Sequence, residues 1–140
     1  MNVRLVKTFT FEAAHHLPSF PEGHRCRRMH GHSFKVDVIV QGDIPHGRHY
    51  LIDYGDIKAA IDPIHDQIDH HCLNEINGLE NPTSEMIAKW LWDKLRPNLP
   101  LLAEIVVYET CTSRCEYRGE AMAMPAAGAA PSPRSTGAKR

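Results

Sequence analysis

The run Cys26-Arg-Arg-Met-His30-Gly31-His32 sets a thiol four residues ahead of a His-Gly-His step. In a strand, residues i and i+2 project from the same face. His30 and His32 can therefore converge on one metal ion, and Gly31 between them leaves room for a ligand or a second backbone. A third imidazole lies upstream, in Phe11-Glu12-Ala13-Ala14-His15-His16. Three histidines with a fourth position open form the donor set of a catalytic zinc site rather than a structural one. A thiol beside such a site is a candidate base or nucleophile, because a nearby metal or cation favours the reactive thiolate. Arg25, Arg27 and the metal itself are the candidates for that role here. Alternation chooses within the upstream pair: Val3, Leu5, Phe9 and Phe11 share one parity with His15. His16 replaces it only if a bulge breaks the strand first.

These residues need elements to hold them. Residues 3–11 read as a strand. Residues 17–29, with Pro18, Pro21 and Gly23, read as a loop carrying Cys26. Phe34, Val36, Val38 and Val40 alternate with Lys35, Asp37 and Gln41, a strand that carries His30 and His32 at its start. Tyr50-Leu-Ile52 is expected to complete a hairpin after the turn at residues 41–47. Asp53 can cap a helix in which Ile57, Ile61, Ile64 and Ile68 form an apolar stripe, and Pro63 is expected to kink or divide it. Thr83 or Ser84 caps a second helix with Glu85 in its first turn and Ile87, Leu91 and Leu95 on its apolar face. Pro97 and Pro100 end that helix. Residues 101–109 and 114–118 form a final strand pair. The order β, β, β, α, α, β, β predicts an α+β architecture with helices on one face of an antiparallel sheet.

With 140 residues the chain fits one domain and buries a single modest core, so a site is expected at an edge or a subunit interface. The domain is expected over residues 1–120. Residues 121–140, rich in Ala, Pro, Gly and Ser, are expected to be a disordered tail. That tail holds Arg134, Lys139 and Arg140 and no acid, whereas the whole chain carries −1, so the body is mildly acidic. An acidic body gives no support for nucleic-acid binding. Arg25, Arg27, Arg28 and Lys7 are local exceptions that could face an anionic substrate. No apolar run approaches a membrane span and the N-terminus lacks the pattern of a secretory signal. The four cysteines are accordingly expected to be reduced thiols in a cytoplasmic protein.

Five ordered segments resemble those of the 6-pyruvoyltetrahydropterin synthase / 6-carboxytetrahydropterin synthase family, across most of residues 5–120. They are Phe11-Glu-Ala-Ala-His15, Cys26-x-x-x-His30-Gly-His32, Asp69-His70-His71-x-Leu73-Asn74, Asn81-Pro-Thr-Ser-Glu85 and Tyr108-Glu109-Thr110. The resemblance implies the tunnelling fold, a four-stranded antiparallel sheet with two helices on one face. Such subunits assemble into an oligomeric barrel, usually a homohexamer built from two trimers with sites at subunit interfaces. The three-residue gap before His30 resembles the bacterial 6-carboxytetrahydropterin synthases of the queuosine pathway, whereas biopterin-pathway members have a longer insertion and a folate-pathway branch has Glu at the Cys26 position.

The activity so implied converts 7,8-dihydroneopterin triphosphate to 6-carboxy-5,6,7,8-tetrahydropterin, acetaldehyde and triphosphate. The alternatives are the 6-pyruvoyltetrahydropterin synthase reaction, which eliminates triphosphate and keeps the two-carbon fragment, and a non-catalytic zinc- or pterin-binding module. The family pattern implies Zn2+ on His15, His30 and His32 and Cys26 as base. It implies Asp69 and His70 as a second proton-transfer pair, with alignment selecting His70 over His71. Adjacent residues of a regular element do not face each other, so this pair requires an irregular turn. Glu109 is implied as the pterin anchor, its two oxygens matching the N–H donors of the aminopyrimidine edge, and as a catalytic residue that assists proton transfer. Thr83, Ser84 and Glu85 are further substrate-binding candidates, although helix capping would also explain them. His24, His46, His49 and His65 and the pair Cys111 and Cys115 lack partners at metal-ligand spacing.

Overall fold

Alternation of apolar and polar side chains pairs the first two strands. In the computed structural model, which describes residues 1–120, β1 (Asn2–His15) and β2 (His30–Asp43) run antiparallel from Asn2↔Asp43 to His15↔His30 without a break. Opposed residues in such a pair share a face. Phe11 and Ala13 of β1 and Phe34, Val36, Val38 and Val40 of β2 are all buried on it. The expected tail, residues 121–140, lies outside the described residues.

α1 (Tyr54–Ile68) and α2 (Ser84–Leu95) cover that apolar face. Asp53 caps α1, its Oδ1 accepting from the Gly55 amide at 2.7 Å. The four-isoleucine stripe is buried as its spacing predicts. The helix is not divided at Pro63; it runs through as one element. Packing of the isoleucines on both sides outweighs the one backbone hydrogen bond that proline removes. Thr83 caps α2, its Oγ1 accepting from the Met86 amide at 3.2 Å. β4 (Leu102–Thr110) pairs with β2, and β5 (Ser113–Tyr117) pairs with β4.

With a two-residue β3 (His71–Cys72), the sheet has five strands in the order β3-β1-β2-β4-β5, not four. This additional strand follows α1 and runs parallel to β1 at Ala13 and Ala14. So short a segment has no periodicity to read. The expected strand at Tyr50–Ile52 does not form. Leu51 is buried in the core, but Asp53 begins capping α1 at once and leaves no length for pairing. Among the described residues, no helix is long and apolar enough to cross a membrane.

Phe34 links core to site. Its ring stacks on Phe11 at 4.8 Å between centroids and meets His15 and His32 edge-on at 5.5 and 5.4 Å. Phe34→Ala is expected to cost about 3–5 kcal/mol of unfolding free energy in a denaturant titration. A loss below about 1 kcal/mol would mean that this ring is not part of the packed core.

Candidate functional site

The β1–β2 register carries the apolar face out of the core and ends it in imidazoles. His15 lies opposite His30, and His32 lies opposite Ala13, so all three histidines share the helix-facing side. Ring centroids are 4.5 Å apart for His15 and His30, 5.1 Å for His15 and His32, and 5.0 Å for His30 and His32. One ligand atom from each falls within 4.8 Å of the others. The unbroken register makes His15, not His16, the third member. His16 instead donates its backbone amide to Asn74 Oδ1 at 2.9 Å.

Backbone carbonyls set the tautomers. His15 Nδ1 lies 2.9 Å from the Pro82 carbonyl, and His30 Nδ1 lies 2.7 Å from the Arg28 carbonyl. A carbonyl only accepts, so both Nδ1 atoms carry the proton and both Nε2 atoms present a lone pair. The Nε2 atoms of His15 and His32 are buried with no hydrogen-bond partner. Burial lowers the pKa of both rings; at His15 the Pro82 hydrogen bond, and at His32 the Glu109 carboxylate, pull the other way without reversing it. Converging imidazole nitrogens, two of them buried and unpartnered and two on rings whose tautomer a carbonyl fixes, are a donor set that suits a divalent metal. The residues therefore fit a zinc ion.

A cavity of about 440 Å³ opens against this cluster, with Cys26, His30, His32 and Glu109 among its lining residues. Glu109, near the end of β4, holds Oε1 3.7 Å from His32 Nε2. Cys26 sits in a single 3-10 turn, Arg25–Arg27. Its amide donates to His24 Nδ1 at 3.1 Å and its carbonyl accepts from the Leu17 amide at 2.8 Å. The Arg27 guanidinium donates to the carbonyls of Pro18 and Phe20 at 2.7 and 2.8 Å. Arg27 is thus a clip that shapes the loop, not the cation expected beside Cys26. His24 is likewise a loop clip.

Asp69 and His70 form the irregular turn their adjacency requires. Asp69 is the C-cap of α1, and His70 takes a left-handed conformation at φ 59°, which His tolerates better than most residues. Asp69 Oδ2 accepts from His70 Nδ1 at 2.8 Å, and Asp69 Oδ1 accepts from the Glu12 amide at 2.9 Å. The Glu12 hydrogen bond first, and the His70 hydrogen bond second, hold the Asp69 carboxyl below its ordinary pKa. The His70 amide donates to the Glu12 carbonyl at 2.6 Å. His71 Nδ1 bonds to the Asp69 carbonyl, which leaves the side-chain pairing to His70.

Neither Asp69 nor His70 lines the cavity that holds Cys26. His70 lines a different cavity, with Glu12, Ala14 and Gly31, and the two cavities share only His32. Thr83, Ser84 and Glu85 line neither. Thr83 is occupied as the α2 cap, and Ser84 Oγ bonds to Glu85 Oε1 at 3.2 Å. What that segment supplies to the cluster is the Pro82 carbonyl, which residue-type reasoning cannot detect. Asn74 is a second support that residue type alone does not identify. Its amide group donates to the carbonyls of His16 and Glu80 at 2.8 and 3.2 Å, fixing the end of β1. Its place in the Asp-His-His-x-Leu-Asn run was the available signal.

A family model described as 6-pyruvoyl tetrahydropterin synthase matches residues 4–120. The chain is 44% identical over 119 residues to a 6-carboxy-5,6,7,8-tetrahydropterin synthase of Synechocystis sp., covering 81% of this chain and 91% of that one. It is 35% identical over 100 residues to a dihydroneopterin monophosphate aldolase of Pyrococcus furiosus, covering 71% and 81%. The structure of Caenorhabditis elegans 6-pyruvoyl tetrahydropterin synthase matches with a TM-score of 0.79 over 86% of this chain and 97% of that one. At 21% identity that likeness concerns the fold alone.

The lowered His15 and His32 values have a consequence for the metal-free protein. As pH falls through the ordinary value of 6.5, the unfolded chain takes up protons that these two folded rings refuse. The unfolded state then binds more protons, so stability falls with falling pH. Denaturant midpoints compared at pH 8 and pH 5.5 should drop for metal-free wild type, and His15→Ala should drop less. Equal drops in the two proteins would show that His15 is not held neutral.

Proposed function

This chain belongs to the 6-pyruvoyl tetrahydropterin synthase family, and on that premise we propose that it is a zinc-dependent lyase of queuosine biosynthesis. Its reaction converts 7,8-dihydroneopterin triphosphate and one water to 6-carboxy-5,6,7,8-tetrahydropterin, acetaldehyde and triphosphate. The observation that carries the reading is the shared cavity in which Cys26 and Glu109 stand against the His15–His30–His32 cluster. The 44%-identical relative bearing the 6-carboxy name supports this product over the pyruvoyl one.

His15, His30 and His32 would hold the ion. When bound, zinc polarises oxygens of the substrate side chain and stabilises negative charge that develops on them. Cys26, held in its turn by His24 and Leu17, removes a proton from carbon as thiolate. Glu109 accepts the paired N–H donors of the aminopyrimidine edge and so orients the reacting carbons. Asp69 accepts from His70 Nδ1, which leaves His70 Nε2 to exchange the second proton. Since His70 opens on a different cavity from Cys26, the dyad of one copy serves the Cys26 site of a neighbour. A homohexamer of two trimers in the cytoplasm is the assembly this reading adopts.

Two assays test it. Zinc-loaded protein incubated with 7,8-dihydroneopterin triphosphate should release acetaldehyde, and Cys26→Ala should keep its zinc and fold while losing about 10²-fold or more in kcat. Triphosphate release without acetaldehyde would assign the pyruvoyl reaction instead, and no turnover at all would reject both. In the same assay, Cys26→Ala and His70→Ala chains should each be inactive alone yet active after being refolded together. A mixture as inactive as its components would mean that the dyad does not act across copies.

A further inference from the structure

Arg25 and Arg28 both line the Cys26–Glu109 cavity, and neither guanidinium has a partner among the described residues. Every other described arginine is engaged. Arg4, Arg27, Arg96 and Arg114 make side-chain hydrogen bonds, Arg118 pairs with Glu104, and Arg48 lies over the Tyr50 ring. The two free cations therefore lie where they flank the proposed base, in a body that is otherwise mildly acidic. A guanidinium is always charged and its planar fork matches the paired oxygens of a phosphate. We propose that Arg25 and Arg28 are the phosphate-binding groups of this cavity and that they select a polyphosphorylated ligand.

The cavity then has an internal polarity. The Glu109 carboxylate repels phosphate and accepts N–H donors, whereas the two guanidiniums attract phosphate and offer no acceptor. A ligand carrying an aminopyrimidine at one end and phosphates at the other has one favourable orientation in such a site. Guanidiniums bound to the phosphates also stabilise the negative charge that a departing polyphosphate carries away. Cys26 lies between Arg25 and Arg28 in the chain, so the same contacts would hold the loop that carries the base. The orientation rests on the reading of Glu109 as pterin anchor; the phosphate binding does not.

Inorganic triphosphate titrated calorimetrically into the zinc-stripped protein tests the proposal without turnover. Stripping zinc removes the other cation that could hold the anion. Arg25→Gln/Arg28→Gln is expected to bind triphosphate about tenfold more weakly or worse, in keeping with the loss of charge-assisted hydrogen bonds. Neopterin, which has no phosphate, should bind the variant as it binds wild type. With zinc restored, KM for 7,8-dihydroneopterin triphosphate should rise while zinc content stays unchanged. Arg28→Gln alone carries the same comparison if the double variant does not fold. Wild type that fails to bind triphosphate, a variant that binds it within twofold of wild type, or neopterin affinity falling in parallel would each overturn the proposal. Wild type that binds triphosphate but turns over no pterin would reject the lyase reading and leave the phosphate site standing.

Discussion

The site depends on one register. β1 and β2 pair so that His15 lies opposite His30 and the parity of the apolar rows runs unbroken into the histidines. Side-chain direction in a strand has period two, so a slip of one residue would send His30 and His32 to the opposite face from His15. It would also expose Phe34, Val36, Val38 and Val40. The core thus protects the alignment of the three histidines against any slip by an odd number of residues, since such a slip would turn the buried rows outward. Phe34 joins the two physically, since its ring packs against Phe11 on one side and against His15 and His32 on the other.

Around that register most of the hydrogen bonds that hold the working groups have a backbone group at one end. Carbonyls of Pro82 and Arg28 fix the rings of His15 and His30. The Glu12 amide and carbonyl together grip Asp69 and His70. The Cys26 turn is closed by Leu17, His24 and Arg27. β1 is the common support, because Glu12 and His15 belong to the same strand. Any displacement of its end would move His15 and the Asp69–His70 pair together. The loop before α2 and the Asn74 side chain brace that end from outside the pair.

Much of this is legible in the amino-acid sequence. Alternation gave β1 and β2, the isoleucine stripe gave α1, and His15 followed from the parity of Val3, Leu5, Phe9 and Phe11. The irregular turn at Asp69 and His70 was required once the family resemblance paired them, because adjacent residues of a regular element do not face each other. Other features had no signal at the level of residue type. β3 is two residues long, and its pairing is parallel and tertiary in origin. Pro63 reads as a break, yet burial on both sides carries the helix through it. Tyr50-Leu-Ile52 reads as a strand because an apolar residue that plugs the core from a loop looks the same in sequence. Arg25, Arg27 and Arg28 are indistinguishable by type; only the carbonyls of Pro18 and Phe20 separate the structural one from the two that face the cavity.

The central claim is a zinc ion held by three imidazoles, with Cys26 beside the metal and not bound to it. X-ray absorption at the zinc edge on the purified protein tests it most directly. The account predicts one zinc per chain with three nitrogen ligands at about 2.0–2.1 Å and a light fourth ligand. A sulfur ligand at about 2.3 Å would contradict it, because a thiolate committed to the metal could not serve as the base.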